Sequence, residues 1–145
     1  MPASILGVWN LVSIVYVSGP EMTTIDPALP GLFIFTKNHY SMTWMPLQKQ
    51  QEDYADLWHP SDSEKVQSYN SIVTNTGSYV LSKTELVTSV EVAKTPAFIG
   101  GKAIYACEIG KDDLRLEVLD TLANDGTRDE SYLKFKTILK LQRIE

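Results

Sequence analysis

Two histidines and one cysteine are the residues of this 145-residue chain best suited to chemistry near neutral pH. His39 opens the run His39-Tyr40-Ser41. An imidazole titrates near neutrality, so His39 facing a pocket would be a polar anchor or a general base. On a rim it would instead hydrogen-bond and hold a hairpin. A tyrosine can add acid–base help, and His39 with Tyr79 is the candidate catalytic pair if the protein is an enzyme. His59, in Trp58-His59-Pro60, falls in a long connection, where it would form part of a lid or pack and cap the segment that follows. The two histidines lack a clear third ligand, so no metal site is expected. Glu91 and Glu108 stand among apolar residues, where burial would raise a carboxyl pKa and make an acid. Alternation nevertheless puts Glu91 with Glu85 on a solvated face. Cys107 shares a face with Tyr105 and reads as a small buried hydrophobe, without a basic sequence neighbour to favour the thiolate. Nucleophile elbows, phosphate-cradling glycine loops and dinucleotide fingerprints are absent, and no cofactor is expected.

The elements that must position these groups are almost all strands. Runs rich in β-branched and aromatic residues cover 7–17, 31–36, 39–45, 76–82, 85–94, 102–109, 113–120 and 131–143, eight in all. Lys37-Asn38 is a hairpin turn in which Asn can take positive φ, and Asn124-Asp125-Gly126 is the strongest turn signal. Gly19-Pro20 and the stretch from Pro27 to Pro30 read as loop. Ser61 followed by Glu64 fits a capping box. Val66, Tyr69, Ile72 and Val73 then recur at helical spacing, predicting one short amphipathic helix over 62–73 whose apolar stripe lies on the barrel or its rim. Short connections in meander order argue for an all-β fold, an eight-stranded antiparallel up-and-down barrel with one short helix. A two-sheet sandwich is the competing architecture.

A closed barrel makes its first and last strands neighbours. Trp9 on the first and Arg143 on the last can then stack, a contact worth roughly 0.5–2 kcal/mol. Gly7 would let the backbone bend at that narrow end. Alternation assigns the faces. Leu133, Phe135, Thr137, Leu139, Leu141 and Arg143 point inward, opposite a lysine-rich outer face. Leu114, Leu116 and Val118 are inward on one strand, and Leu86, Thr88, Val90 and Val92 on another. The run 39–45 is ambiguous: either His39, Ser41 and Thr43 or Tyr40, Met42 and Trp44 face in. The candidate ligand-contacting residues are Phe35, His39, Ser41, Trp44, Tyr79, Tyr105 and Phe135.

At this length one domain with a substantial core is expected over 1–145. With 13 basic against 18 acidic residues the net charge is −5, so neither nucleic acid nor an anionic membrane is an expected partner. A single cysteine excludes an internal disulfide. The start MPASILGVW does not resemble a signal peptide, and no apolar run approaches the roughly 20 residues that span a bilayer. A soluble cytoplasmic protein is the expectation.

The opening Ile5-Leu6-Gly7-Val8-Trp9-Asn10-Leu11-Val12-Ser13 resembles the first strand of bacterial and fungal lipocalin-like domain proteins. Residues Pro30 to Met42, reading PGLFIFTKNHYSM, are similar to that family's second landmark. A third match is Asn75-Thr76-Gly77-Ser78-Tyr79-Val80 followed by Val92-Ala93-Lys94-Thr95-Pro96. The ending Lys140-Leu141-Gln142-Arg143 is like the terminal strand. The resemblance implies a calycin-type barrel with a cavity for a small apolar molecule. It is nearly silent about chemistry. Three functions therefore stand side by side: a binder of a small hydrophobic molecule, a cofactor-free isomerase or cyclase of a polyketide or terpenoid-type biosynthetic intermediate, and a packed domain that docks a protein partner.

Overall fold

The computed structural model describes residues 4–145, apart from the side chains of Tyr132 and Leu133; the inward position expected of Leu133 thus lies outside the described residues. Nine strands form one antiparallel sheet: β1 Gly7–Ser18, β2 Glu21–Ile25, β3 Gly31–Phe35, β4 His39–Trp44, β5 Val73–Leu81, β6 Glu85–Ala93, β7 Lys102–Ile109, β8 Asp113–Leu122 and β9 Lys136–Arg143. Each pairs with the next around the sheet, and β1 also pairs with β9, from Trp9 opposite Arg143 to Val17 opposite Lys136. The sheet is therefore a closed barrel, not a sandwich.

The barrel has eight strand positions, because β2 and β3 share one. β2 pairs with the second half of β1 and β3 with the first. Between them lies a break containing the cis Asp26–Pro27 bond, where the Ala28 N–H donates to the Val12 carbonyl at 2.8 Å. Val12 is the extra residue of a β-bulge, since Leu11 faces Leu141 but Ser13 faces Lys140. The bulge switches the inward set on β1 from Trp9 and Leu11 to Ile14 and Tyr16. Residues 21–25, outside the eight expected strands, are thus a strand. The prolines end it; they do not abolish it.

Most of the expected alternation is present. Leu114, Leu116 and Val118 on β8, and Thr137, Leu139 and Leu141 on β9, are buried. On β4 the burial runs strictly alternately, with Tyr40, Met42 and Trp44 inside and His39, Ser41 and Thr43 outside. Val92 departs from its expected side. Gly77 pairs with Val90 and Thr76 with Val92, leaving Glu91 bulged, so Val92 is 60% exposed. Gly77 is needed there, because a Cβ would lie 2.0 Å from the Ser89 carbonyl oxygen.

Helix α1, Asp62–Asn70, is shorter than expected, and Val73 already belongs to β5. Its capping box is complete: the Glu64 N–H donates to Ser61 Oγ and the Ser61 N–H donates to Glu64 Oε1. No α1 residue is buried, and Val66 is 61% exposed, so the apolar stripe does not seat on the barrel. Polar contacts hold the connection instead, including Tyr54 Oη to Ser68 Oγ and Ser68 Oγ to Gln51 Oε1. Residues 131–134, expected as strand, form a single helical turn, α2. The Lys37-Asn38 turn closes with the Thr36 N–H donating to the His39 carbonyl, and only glycines among the described residues have positive φ, so Asn38 does not use it.

Candidate functional site

The two ends of the barrel are built differently. At the narrow end the Arg143 guanidinium lies 4.2 Å from the centroid of the Trp9 ring. It donates to the carbonyls of Ser4, Leu6 and Lys111. Trp9 is fully buried and its indole N–H donates to the Ile5 carbonyl. Gly7, at φ +126°, completes the seal, because a Cβ there would sit 2.2 Å from the Glu145 carbonyl oxygen. Phe35 and Tyr79 meet edge to face just above it, with ring centroids 5.4 Å apart, and the Tyr79 hydroxyl donates to the Thr36 carbonyl at 2.6 Å.

The other end holds a cavity of about 410 Å³, within the range of about 300–1,000 Å³ typical of small-molecule sites. Its walls come from the start of β5 (Val73, Asn75), the end of β6 with the turn after it (Ala93, Ala97, Phe98), the end of β8 (Thr121, Ala123) and the loop Thr127–Asp129. Alanine at three wall positions leaves space that a larger side chain would fill. The rim cations are engaged: Arg128 Nε is 3.1 Å from Asp120 Oδ2, and Lys94 donates to the carbonyls of Tyr69 and Ile72 while lying over the Tyr69 ring. Lys94 therefore fastens the C-terminal end of α1 to the barrel mouth.

Asn75 forms part of the cavity wall toward the core. Tyr40 Oη donates to Asn75 Oδ1 at 2.6 Å. Burial pushes the Tyr40 phenol up to about 12, Thr88 working against the shift and the Glu91 charge adding to it. The phenol thus stays a donor across the physiological range. Two buried polar atoms find no partner among the described residues, Trp44 Nε1 and Thr137 Oγ1.

None of the seven candidate ligand-contacting residues lines this cavity. Phe35, Trp44 and Tyr105 are inside the barrel but packed into the core, with Tyr105 Oη against Met42 Sδ. Phe135 is half-buried, edge to face with Tyr16. His39 and Ser41 are exposed on the outer face, so of the two alternatives for 39–45 the structure has the one that turns Tyr40, Met42 and Trp44 inward, and these two leave the set of candidate ligand contacts. His39 therefore holds the hairpin, its N–H donating to Thr36 Oγ1. The pair His39 and Tyr79 does not converge on the cavity, since Tyr79 serves the narrow end. His59 is exposed beside Asp56. Cys107 is buried, its thiol pushed up to about 11 by burial first and the Glu108 charge second. Among the described residues no group of three or more His, Cys, Asp or Glu could hold a metal, and no helix is long and apolar enough to cross a membrane. Ala97, Phe98 and Ala123 were not signalled by any residue pattern, whereas Asn75 and Ala93 do fall within the third resemblance segment.

Comparison with known proteins finds a family for this closed antiparallel barrel. The lipocalin-like domain model matches residues 6–143, and the chain belongs to that family. Solved structures with a similar outline include a lipocalin-like protein from Bacteroides uniformis, at 14% identity and TM-score 0.47, covering 97% of this chain and 98% of that one. An uncharacterized protein from Bacteroides eggerthii matches at 13% identity and TM-score 0.48, covering 97% and 99%. No curated protein matches the chain.

Proposed function

We propose that the protein binds a small, largely apolar molecule at the open end of the barrel. The cavity between Val73, Ala93, Ala97, Phe98 and Ala123 carries this reading. The lipocalin-like fold supports it, because an eight-stranded barrel is either filled by side chains or holds one small ligand, and this one keeps a cavity above a plugged end. Binding needs no reacting group, and the hydroxyls and amide of the wall are positioned to orient a ligand. Arg128 is paired with Asp120, and the Lys94 cation is balanced across the rim by the Asp129 carboxylate, which favours a neutral molecule.

The neutral dye N-phenyl-1-naphthylamine tests the reading. The wild-type protein should enhance its emission saturably and gain thermal stability, since a ligand bound only by the native state at 100 times its Kd adds about 2.7 kcal/mol. Ala93→Trp, which fills the mouth, should abolish both effects while the barrel stays folded. Undiminished dye binding by that variant would place the ligand elsewhere and overturn the proposal.

A further inference from the structure

We infer that the ligand of this mouth carries a neutral hydrogen-bond-accepting oxygen on its inserted end, a ketone, ester or quinone-type carbonyl, and that Asn75 donates to it. The inference rests on the mouth-binding reading and specifies its chemistry. Asn75 is only 5% exposed, yet it lines the cavity. Its carboxamide is not free to turn. The hydroxyl of Tyr40, itself 2% exposed, donates to Oδ1 at 2.6 Å, so the oxygen of the amide is committed to the core side. The phenol gives its one proton to the amide oxygen, and that short contact holds the carboxamide in this orientation. The Nδ2 group, with two N–H donors, is then the part of Asn75 left for a ligand, and no acceptor within the protein engages it among the described residues.

This nitrogen is not among the buried unpartnered atoms, so it is reached from the cavity, where a ligand oxygen can take the place of water. The rest of the wall near Asn75 is Val73, Ala93 and Thr74, so the match there is to an oxygen attached to an apolar body. A carboxylate fits poorly. Burying its charge needs a counter-charge, but Arg128 is already paired with Asp120, Lys94 is turned to the carbonyls of Tyr69 and Ile72, and the Asp129 carboxylate lines the same cavity. Asn75 is thus a specificity-determining residue that sorts oxygenated apolar molecules from plain hydrocarbons and from fatty-acid anions.

Two naphthalene probes test this: 6-propionyl-2-(dimethylamino)naphthalene, whose carbonyl accepts hydrogen bonds, and the 6-propyl compound that lacks the oxygen. The wild-type protein should bind the ketone about three- to tenfold more tightly, the range for one net hydrogen bond. The emission of the bound ketone should also carry the red shift of a hydrogen-bonded carbonyl. Asn75→Leu should bring the two affinities together and remove the shift while leaving the propyl compound bound. Should that variant fail to fold, Tyr40→Phe, which releases the carboxamide, should weaken the preference. Equal binding of both probes by the wild type, or a preference that survives Asn75→Leu, overturns the assignment of Asn75 while leaving the mouth site standing. Failure of the wild type to bind either probe overturns the mouth-binding reading itself, and this one with it.

Discussion

The two ends of the barrel solve opposite problems with opposite residues. At the narrow end one large indole, one cation and one glycine form a plug, and backbone carbonyls hold the cation. At the mouth three alanines keep the walls apart, and α1, with none of its residues buried, is fastened beside it by Lys94 and by hydroxyl and amide contacts. The contrast teaches that, on the proposed reading, stability and binding are carried by separate residues in this fold. A substitution at one end should be nearly silent at the other.

The largest effect that would break or sustain this separation is Trp9→Ala. Removing a fully buried indole should cost about 3–5 kcal/mol, seen in the urea midpoint, while dye affinity per folded molecule stays unchanged. A lost dye site in the folded fraction would show that the ends are coupled. Arg143→Met keeps much of the aliphatic bulk but removes the stacked charge; it should cost about 1–2 kcal/mol, and a change near zero in the midpoint would strip the guanidinium of any sealing role. Ser61→Ala removes the α1 cap and should cost about 1 kcal/mol, felt as faster hydrogen exchange in α1 with the barrel amides unaffected.

Acid and alkali sharpen the comparison further, with smaller effects. The Glu64 carboxylate lies below its usual range because it accepts from the backbone of Ser61 and Ala55. A depressed folded pKa means that its contribution is complete above the ordinary carboxylate range and disappears as pH falls through the folded value. Exchange in α1 should therefore accelerate in acid before the barrel loosens. Tyr40 and Cys107 titrate the other way. Both are raised, to about 12 and about 11, so their contribution is intact below the unfolded values and declines as pH climbs toward these. The urea midpoint should drift down above roughly pH 9, and native Cys107 should resist a thiol reagent at pH 8. Rapid modification there would mean that the core opens readily.

How much of this was legible depended on contrast between the two faces of each strand. On β9 lysines alternate with leucines, so the faces separate unaided. On β4 both faces carry residues that could sit in a lumen, and only pairing with β3 and β5 decides that His39 goes out and Trp44 in. Val92 was misassigned because a bulge opposite Gly77 resets the alternation, and no local pattern announces it. The β2 segment was hidden by the prolines that follow it. The narrow end could be read from Gly7, Trp9 and Arg143 because a plug needs large and unusual residue types. The mouth could not: its walls are alanines and threonines drawn from strand ends and a loop, ordinary residues whose meeting depends on how the strands tilt and stagger.

The pairing of β1 with β9 bears on how the chain reaches its final form. Partners so distant along the polypeptide join only after a large loss of chain entropy, which slows folding. During synthesis β1 must wait, one edge unpaired, until β9 has left the ribosome. That interval leaves a strand edge open to other chains. A nascent polypeptide halted before β9 would keep two bare edges and be a ready seed for aggregation.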